Sequence, residues 1–292
     1  MNDSASLRAP LDAATLRRDL VGAGLIRRLD VVESTGSTNT DLAAAFAKAP
    51  DTWPEISVLA TDFQSAGRGR LERSWQAPPR SSLAVSILLR PAPGGATPPE
   101  EAYGWLSMLC ASALAAALRE TAGVPAELKW PNDVIIAGRK VAGVLAQLVP
   151  APHGAPAVVV GSGVNVSLDR GELPVPTATS LLLEDASTVD TTELLTAYVR
   201  QMSRLYSGFL RTGCRAVEPI DQGGSLLERV SANMATLGAP VRAELPGGGT
   251  VEGIAVGLEA DGGLGMRADD GSTSVVRAGD VVHLRRTDGR YA

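Results

Sequence analysis

Cysteine and histidine are nearly missing from this chain of 292 residues, which carries two of each. Cys110 and Cys214 stand far apart without any Cys-x-x-Cys or Cys/His spacing, so neither a disulfide framework nor a zinc site is encoded. That usage suits a reducing compartment, and the expected localisation is cytoplasmic. Cys110 falls in an apolar helical run and reads as packing. His153 sits among prolines and His283 in a terminal strand, so neither reads as part of a nucleophile triad or a metal cluster. Excess positive charge is also lacking, since 27 Lys and Arg face 32 Asp and Glu for a formal net charge of −5. No broad DNA-binding face is expected, and any phosphate chemistry must rest on local cations. Met1-Asn2-Asp3-Ser4 shows no basic region leading into an apolar core, and no uninterrupted apolar run nears the roughly eighteen residues of a membrane span. The expectation is a soluble protein with no membrane partner.

What remains is ordinary globular composition, 45% hydrophobic and 20% charged, in a chain long enough for one sizeable core plus a small domain. Residues 11–29 read as a short amphipathic helix and its exit, and a strand is expected to begin at Val31. Ser37 or Thr38 can cap a helix from about Thr40 to Lys48, with Asp41 in its first turn. Residues 56–61 and 83–89 read as strands, and residues 103–120 as the strongest helix, ended by Gly123 and Pro125. Residues 127–130, 133–136, 141–148 and 157–168 read as strands, with Ala137-Gly138-Arg139 as a hairpin turn, and residues 191–209 as a long helix. Helices and largely consecutive strands mix in an α+β pattern. From about Ala239 the texture changes to five short glycine-broken strands, which suggests a separate small barrel. The expected division is therefore 1–236 and 237–292.

The chemistry concentrates in a few short runs. Gln64-Ser65-Ala66-Gly67-Arg68-Gly69-Arg70, extended by Arg73 and Trp75, places arginines and glycines around a turn. Such a loop suits an anion, because glycine admits close backbone approach and each guanidinium offers a planar fork to carboxylate or phosphate oxygens. A second cluster, Lys129-Trp130-Pro131-Asn132-Asp133, is followed by Arg139-Lys140 and Gly143, and a third is Gly161-Ser162-Gly163-Val164-Asn165. Ser37-Thr38-Asn39 stands ahead of them all. Read alone, each has a plain alternative: a helix cap, a solvated basic turn, a Pro-Asn-Asp turn, or core packing for Trp75 and Trp130.

In this order the four runs resemble the biotin protein ligases, and coincidence in register is improbable. The resemblance runs from about Ser34 to Ser167 and weakens beyond. It implies a mixed-sheet catalytic domain with packed helices, of biotin/lipoate ligase type, followed by an SH3-like barrel. It implies that biotin and ATP, with Mg2+, give biotinyl-5′-AMP, and that the biotinyl group passes to a lysine of a biotin carboxyl carrier protein or a biotin carboxylase subunit domain. Members that also repress transcription carry a winged-helix domain ahead of the Ser-Thr-Asn run, whereas 36 residues precede Ser37 here, so a DNA partner is not expected. Glu72 stands where many relatives have glycine, a departure that bears on how the loop closes.

By the same resemblance, Ser37, Thr38 and Asn39 would hydrogen-bond the ureido ring of biotin, with Gln64 and the backbone of Gly67, Arg68, Gly69 and Arg70 closing over it. Arg68 and Arg70 would meet the biotin carboxylate or the phosphates, and Arg73 the nucleotide. Lys140 would be the catalytic cation, with Lys129 as the runner-up. Trp75 and Trp130 would stack on or wall the adenine pocket, while Asn132 and Asp133 would orient Lys140 or help hold magnesium, without a firm metal-ligand set. Gly143, Gly161 and Gly163 would leave room for biotin, and Asn165 would face the triphosphate. The arginine loop is expected to be mobile when empty, having little to pack on until an anion arrives. Rival readings are a lipoate ligase, which shares the fold, and a non-catalytic biotin- or nucleotide-binding adaptor.

Overall fold

The computed structural model describes residues 7–151, 155–245, 248–287 and 290–291; the expectation for His153 lies outside the described residues. In chain order the first part runs α1 (Ala13–Leu16), β1 (Arg28–Val31), α2 (Thr38–Lys48), β2 (Ser57–Thr61), β3 (Gly67–Arg68), β4 (Ser74–Trp75), β5 (Ser82–Leu89) and α3 (Ala102–Thr121). It continues with β6 (Ala126–Lys129), β7 (Asp133–Ile136), β8 (Arg139–Val149), β9 (Ala157–Asn165), α4 (Thr191–Arg211), β10 (Pro219–Asp221), β11 (Gly224–Ser225) and α5 (Leu226–Ala232). Five strands close the chain: β12 (Pro240–Glu244), β13 (Thr250–Leu258), β14 (Leu264–Arg267), β15 (Thr273–Val276) and β16 (His283–Arg286).

Seven strands make one mixed sheet in the order β1-β2-β5-β9-β8-β7-β6, in which β1–β2 is parallel and the other pairs are antiparallel. Side chains alternate across it, and the two faces differ in kind. One face presents Val58 and Ala60 of β2, Leu83, Val85 and Ile87 of β5, and Val158, Val160 and Val164 of β9 to α3 and α4, forming the main core. That core explains α3, a 20-residue helix whose mean hydropathy reaches 1.2 over 18 residues, matching a membrane span by length and composition, while most of that stretch is buried inside the protein. The other face has an apolar cluster at one end, where Leu42 and Phe46 of α2 pack on Leu59, Leu88 and Val159. Along β9 that face reads Ala157, Val159, Gly161, Gly163, Asn165: apolar under α2, bare in the middle, polar at the far end.

Two expectations shift at the amino end. The strand expected to begin at Val31 ends there, because Arg28–Val31 pair with Ser57–Ala60. The first helix is only four residues long and runs into a π-helical turn, Arg17–Val21, with Gly24 in a left-handed conformation at φ 70° just beyond. Ser37, extended at φ −156°, is the N-cap of α2, so the helix begins at Thr38. The β7–β8 hairpin turns at Ala137 and Gly138, both left-handed at φ 48° and 74°.

The last five strands form an antiparallel sheet in the order β15-β14-β13-β12-β16. It does not stand apart. Trp105 of α3 donates its indole N–H to Ala260 O at 2.7 Å, and fully buried Trp130 donates to Gly262 O at 3.1 Å. Trp130 is thus core packing beneath the small sheet, as its plain alternative had it.

Candidate active site

The bare half of the large sheet, the β3–β4 arm and the β16 end of the small sheet enclose a cavity of about 430 Å³. At its closed end the α2 N-terminus delivers three polar side chains. The Thr38 backbone N–H and hydroxyl both donate to Gln64 Oε1, at 2.8 and 3.1 Å. Asn39 Nδ2 donates to Leu145 O at 3.0 Å, while Ser86 Oγ lies 2.6 Å from Asn39 Oδ1 and 2.8 Å from Thr38 Oγ1. All of Ser37, Thr38, Asn39 and Ser86 are buried. Ser86 escaped the sequence reading, because a serine within an apolar strand gives no local signal.

The glycines that line the cavity also make room for side chains of the chain itself. A Cβ on Gly161 would meet Asn39 Oδ1 at 2.1 Å, one on Gly163 would meet Trp75 Cε2 at 2.7 Å, and one on Gly143 would meet Lys140 Nζ at 2.9 Å. Each therefore makes room for a side chain of this chain, which then lines the cavity. Gly67, unlike these three, is not in the lining: its Cβ would meet Trp75 O at 2.4 Å, so it permits the tight β3–β4 pairing. Gly69 does line the cavity, with its N–H donating to Arg73 O at 2.7 Å.

At the open end lie the charges. Lys140 Nζ pairs with Asp133 Oδ1 at 2.5 Å, and its side chain keeps 28% exposure, enough to reach the cavity. The hydroxyl of Tyr291 donates to Asp133 Oδ2. Burial pushes the Asp133 carboxyl up, but Lys140 and Lys129, together with the bonds from Lys140 and Tyr291, outweigh it and hold the group below its usual value. Lys129 ends the edge strand β6, yet it is buried and donates to Leu284 O at 2.9 Å, with its ammonium 4.1 Å from the Tyr291 ring centroid. Burial lowers that ammonium to about 8, with Asp133 opposing the shift and Lys140 adding to it. Asn132 donates Nδ2 to Val144 O at 2.5 Å, tying the residue ahead of β7 to β8. Asn165 donates Nδ2 to Thr179 O at 2.9 Å.

The arginine arm is not short of packing partners, which corrects the reason given for its mobility. Arg70 Nη2 donates to Ala278 O at 2.5 Å and Val281 O at 2.7 Å, and Arg73 Nη2 reaches Val282 O at 3.2 Å and His283 Nε2 at 3.0 Å. Burial lowers the basicity of Arg70, and burial with Arg73 and Arg285 lowers that of His283, so His283 is neutral near pH 7 and suited to accept from Arg73. His283 is therefore a rim residue, as are Leu284, Arg285 and Tyr291. No motif marks these positions in the sequence. Arg68 is exposed and lines the cavity, its guanidinium without a hydrogen-bond or ion-pair partner among the described residues. Trp75 stands over Gly163 with its indole N–H buried and unpartnered among the described residues, and its ring centroid lies 5.8 Å from Lys140 Nζ.

The arrangement has two chemical halves, a neutral hydrogen-bonding pocket at the α2 end and a cationic mouth at the β16 end. Comparison with known proteins gives it a family. Residues 31–165 match the biotin/lipoate A/B protein ligase family, and residues 236–284 match the biotin protein ligase C-terminal domain. The biotin–[acetyl-CoA-carboxylase] ligase of Mycobacterium tuberculosis is 39% identical over 289 residues, covering 98% of this chain and 100% of that protein. The protein of the same description from Paracoccus denitrificans is 35% identical over 85% of this chain and 97% of its own. Among solved structures, the biotin protein ligase from Aquifex aeolicus in complex with biotin and ATP superposes with a TM-score of 0.69 at 27% identity, covering 90% of this chain and all of that one. With near-full-length identity of this order and both domain matches in sequence order, the chain belongs to the biotin protein ligase family.

Proposed function

We propose that this chain activates biotin with MgATP to biotinyl-5′-AMP and then biotinylates one lysine of a biotin carboxyl carrier protein, the acceptor in a carboxylase such as acetyl-CoA carboxylase. The observation that carries the reading is the two-ended cavity, whose neutral polar pocket and cationic mouth are joined by a glycine-lined floor. Thr38 and Asn39, with Gln64 behind them, suit a cyclic urea, which needs both donors and acceptors. The ring would displace part of their present mutual bonding. Trp75 and the glycine strands flank the apolar tail of biotin.

In the first step a carboxylate oxygen attacks the α-phosphorus, the bond to the β-phosphate oxygen breaks, and pyrophosphate leaves with the electron pair. Two anions meet, so fixed positive charge is the main requirement. Charges about 4 Å apart interact by about 4 kcal/mol at an effective dielectric near 20. Lys140 supplies that charge at the reacting oxygens, Arg68 and Arg70 at the carboxylate and phosphates, and Arg73 and Lys129 at the nucleotide. Holding the reactants in line contributes a further 7 kcal/mol or so. In the second step the acceptor's neutral amine attacks the acyl carbon, AMP departs, and the amine loses its proton, so no enzyme nucleophile is needed. Asp133 is the single carboxylate among the lining residues, and no three of His, Cys, Asp and Glu converge among the described residues. That donor set suits magnesium carried in on the triphosphate as part of the substrate. We assign 1–236 to the catalytic part and 237–292 to the carboxyl-terminal domain that completes the mouth.

The test is pyrophosphate release from biotin and MgATP, followed by labelling of a purified biotin carboxyl carrier domain, with lipoate and its acceptor as the competing pair. Lys140→Ala is expected to slow adenylation by about 100-fold or more, the scale of losing one preorganised charge contact. Biotin binding without pyrophosphate release would overturn the reading in favour of an adaptor, and lipoate labelling would overturn it in favour of a lipoate ligase.

A further inference from the structure

Tyr291 lies at the opposite end of the chain from every motif that points to the site, yet it touches two of the site's charged groups. Its hydroxyl donates to Asp133 Oδ2, and its ring faces Lys129 Nζ at 4.1 Å. Asp133 Oδ1, the other oxygen of the same carboxylate, holds Lys140 Nζ at 2.5 Å. Lys129 is tied in turn to Leu284 O of β16. The carboxyl-terminal residues thus approach the cationic mouth through a chain of contacts: phenol, carboxylate, ammonium.

We propose that Tyr291 is a positioning residue for the adenylation step, acting on Lys140 through Asp133. The proposal rests on the reading that Lys140 faces the reacting oxygens. A carboxylate free to rotate about its Cβ–Cγ bond offers either oxygen to a lysine, and the flexible four-carbon stem of Lys140 follows it. With Oδ2 held by the phenol, Oδ1 alone remains for Lys140, and the ammonium has one direction instead of two. A charge placed before the reaction does not have to be reorganised during it, which is where electrostatic catalysis gains most. The phenol suits this task better than a cation would. It donates one hydrogen bond without neutralising Asp133, and burial together with Asp133 raises its own pKa above the usual value, so it keeps its proton. The aromatic face does a second service by offsetting part of the desolvation of Lys129.

The two contacts can be separated. Tyr291→Phe keeps the ring against Lys129 and deletes the hydroxyl; Tyr291→Leu deletes both. The experiment is steady-state pyrophosphate release with biotin and MgATP varied in turn, beside thermal melting of each variant. For Tyr291→Phe the expectation is a fall in kcat of about tenfold, the scale of one hydrogen bond to a charged group, with the KM for biotin and the melting temperature unchanged. Tyr291→Leu is expected to lose the same factor in kcat and in addition to raise the KM for ATP, because Lys129 loses its aromatic seat. An unchanged kcat in Tyr291→Phe overturns the proposal. A faster Tyr291→Phe also overturns it, since the residue would then obstruct the site, and so does a kcat loss matched by a loss of melting temperature, since the role would then be structural. Failure of the wild type to release pyrophosphate would sink the underlying functional reading instead, and is recognisable because the variants then have nothing to lose.

Discussion

A methyl group added at Gly161 would meet Asn39 Oδ1 at 2.1 Å, so Gly161→Ala must turn the Asn39 amide away from Leu145 O and Ser86. Its expected effect is biotin binding weaker by about 10- to 100-fold, from one or two misplaced hydrogen bonds, with little change in melting. Isothermal titration with biotin checks this, and unaltered affinity would count against Asn39 as a ureido ligand. The sequence motif marked this glycine, but its packing against Asn39 was not legible, because that residue lies far away in the chain. Lys129 was legible as a cation but not as a buried one, since nothing in its neighbours signals Leu284 or Tyr291. Its burial predicts a pH effect with a definite sign. The ordinary value is 10.5 and the folded value about 8, so between them the unfolded chain binds more protons and stability rises with pH. Below about 8 the full penalty, on the order of 3 kcal/mol, is present. Urea unfolding of wild type and Lys129→Met should therefore diverge most near pH 7 and converge towards pH 10; parallel curves across that range would refute it.

At the level of elements, periodicity served well wherever one face is uniform. The strongest sequence helix is α3, Ala102–Thr121, and the β7–β8 hairpin sits where Ala137-Gly138 put it. It served less well at β1, whose four residues alternate too briefly to reveal their parallel partner β2, and at α1, where the apolar spacing continues through a π turn that shortens the helix. The change along β9 from valine to glycine on one face was visible in the sequence as a motif. That it divides the sheet into a covered end under α2 and an open end over the cavity follows only from pairing with β5 and β8. The β3–β4 arm shows the limit most plainly. Its arginines read as anion ligands from their spacing; in this structure Arg70 and Arg73 meet the backbone carbonyls of residues 278, 281 and 282, and carbonyls carry no sequence signature.

For the molecule as a whole, the small sheet is joined to the large one through a shared core. Trp105 and Trp130, both fully buried, bond to the Ala260–Gly262 turn, and Met108 Cε lies 2.5 Å from where a Cβ of Gly262 would stand. Uncovering two tryptophans costs several kcal/mol of apolar burial, a large fraction of ordinary domain stability. Unfolding in urea should therefore be one transition, with tryptophan fluorescence and far-ultraviolet dichroism superimposing. Two separated midpoints would show that the sheets fold independently. The seat of the arginine arm carries a further consequence. Arg70 holds neutral carbonyls of residues 278 and 281 rather than carboxylates, so added salt has little Coulombic attraction to screen in that contact. A guanidinium that moves from a carbonyl to a phosphate exchanges a contact indifferent to ionic strength for one that weakens steeply with it. Under the proposed function, salt then acts on the occupied state alone, and the ionic strength of the surroundings becomes a control on how long the arm stays with a bound nucleotide.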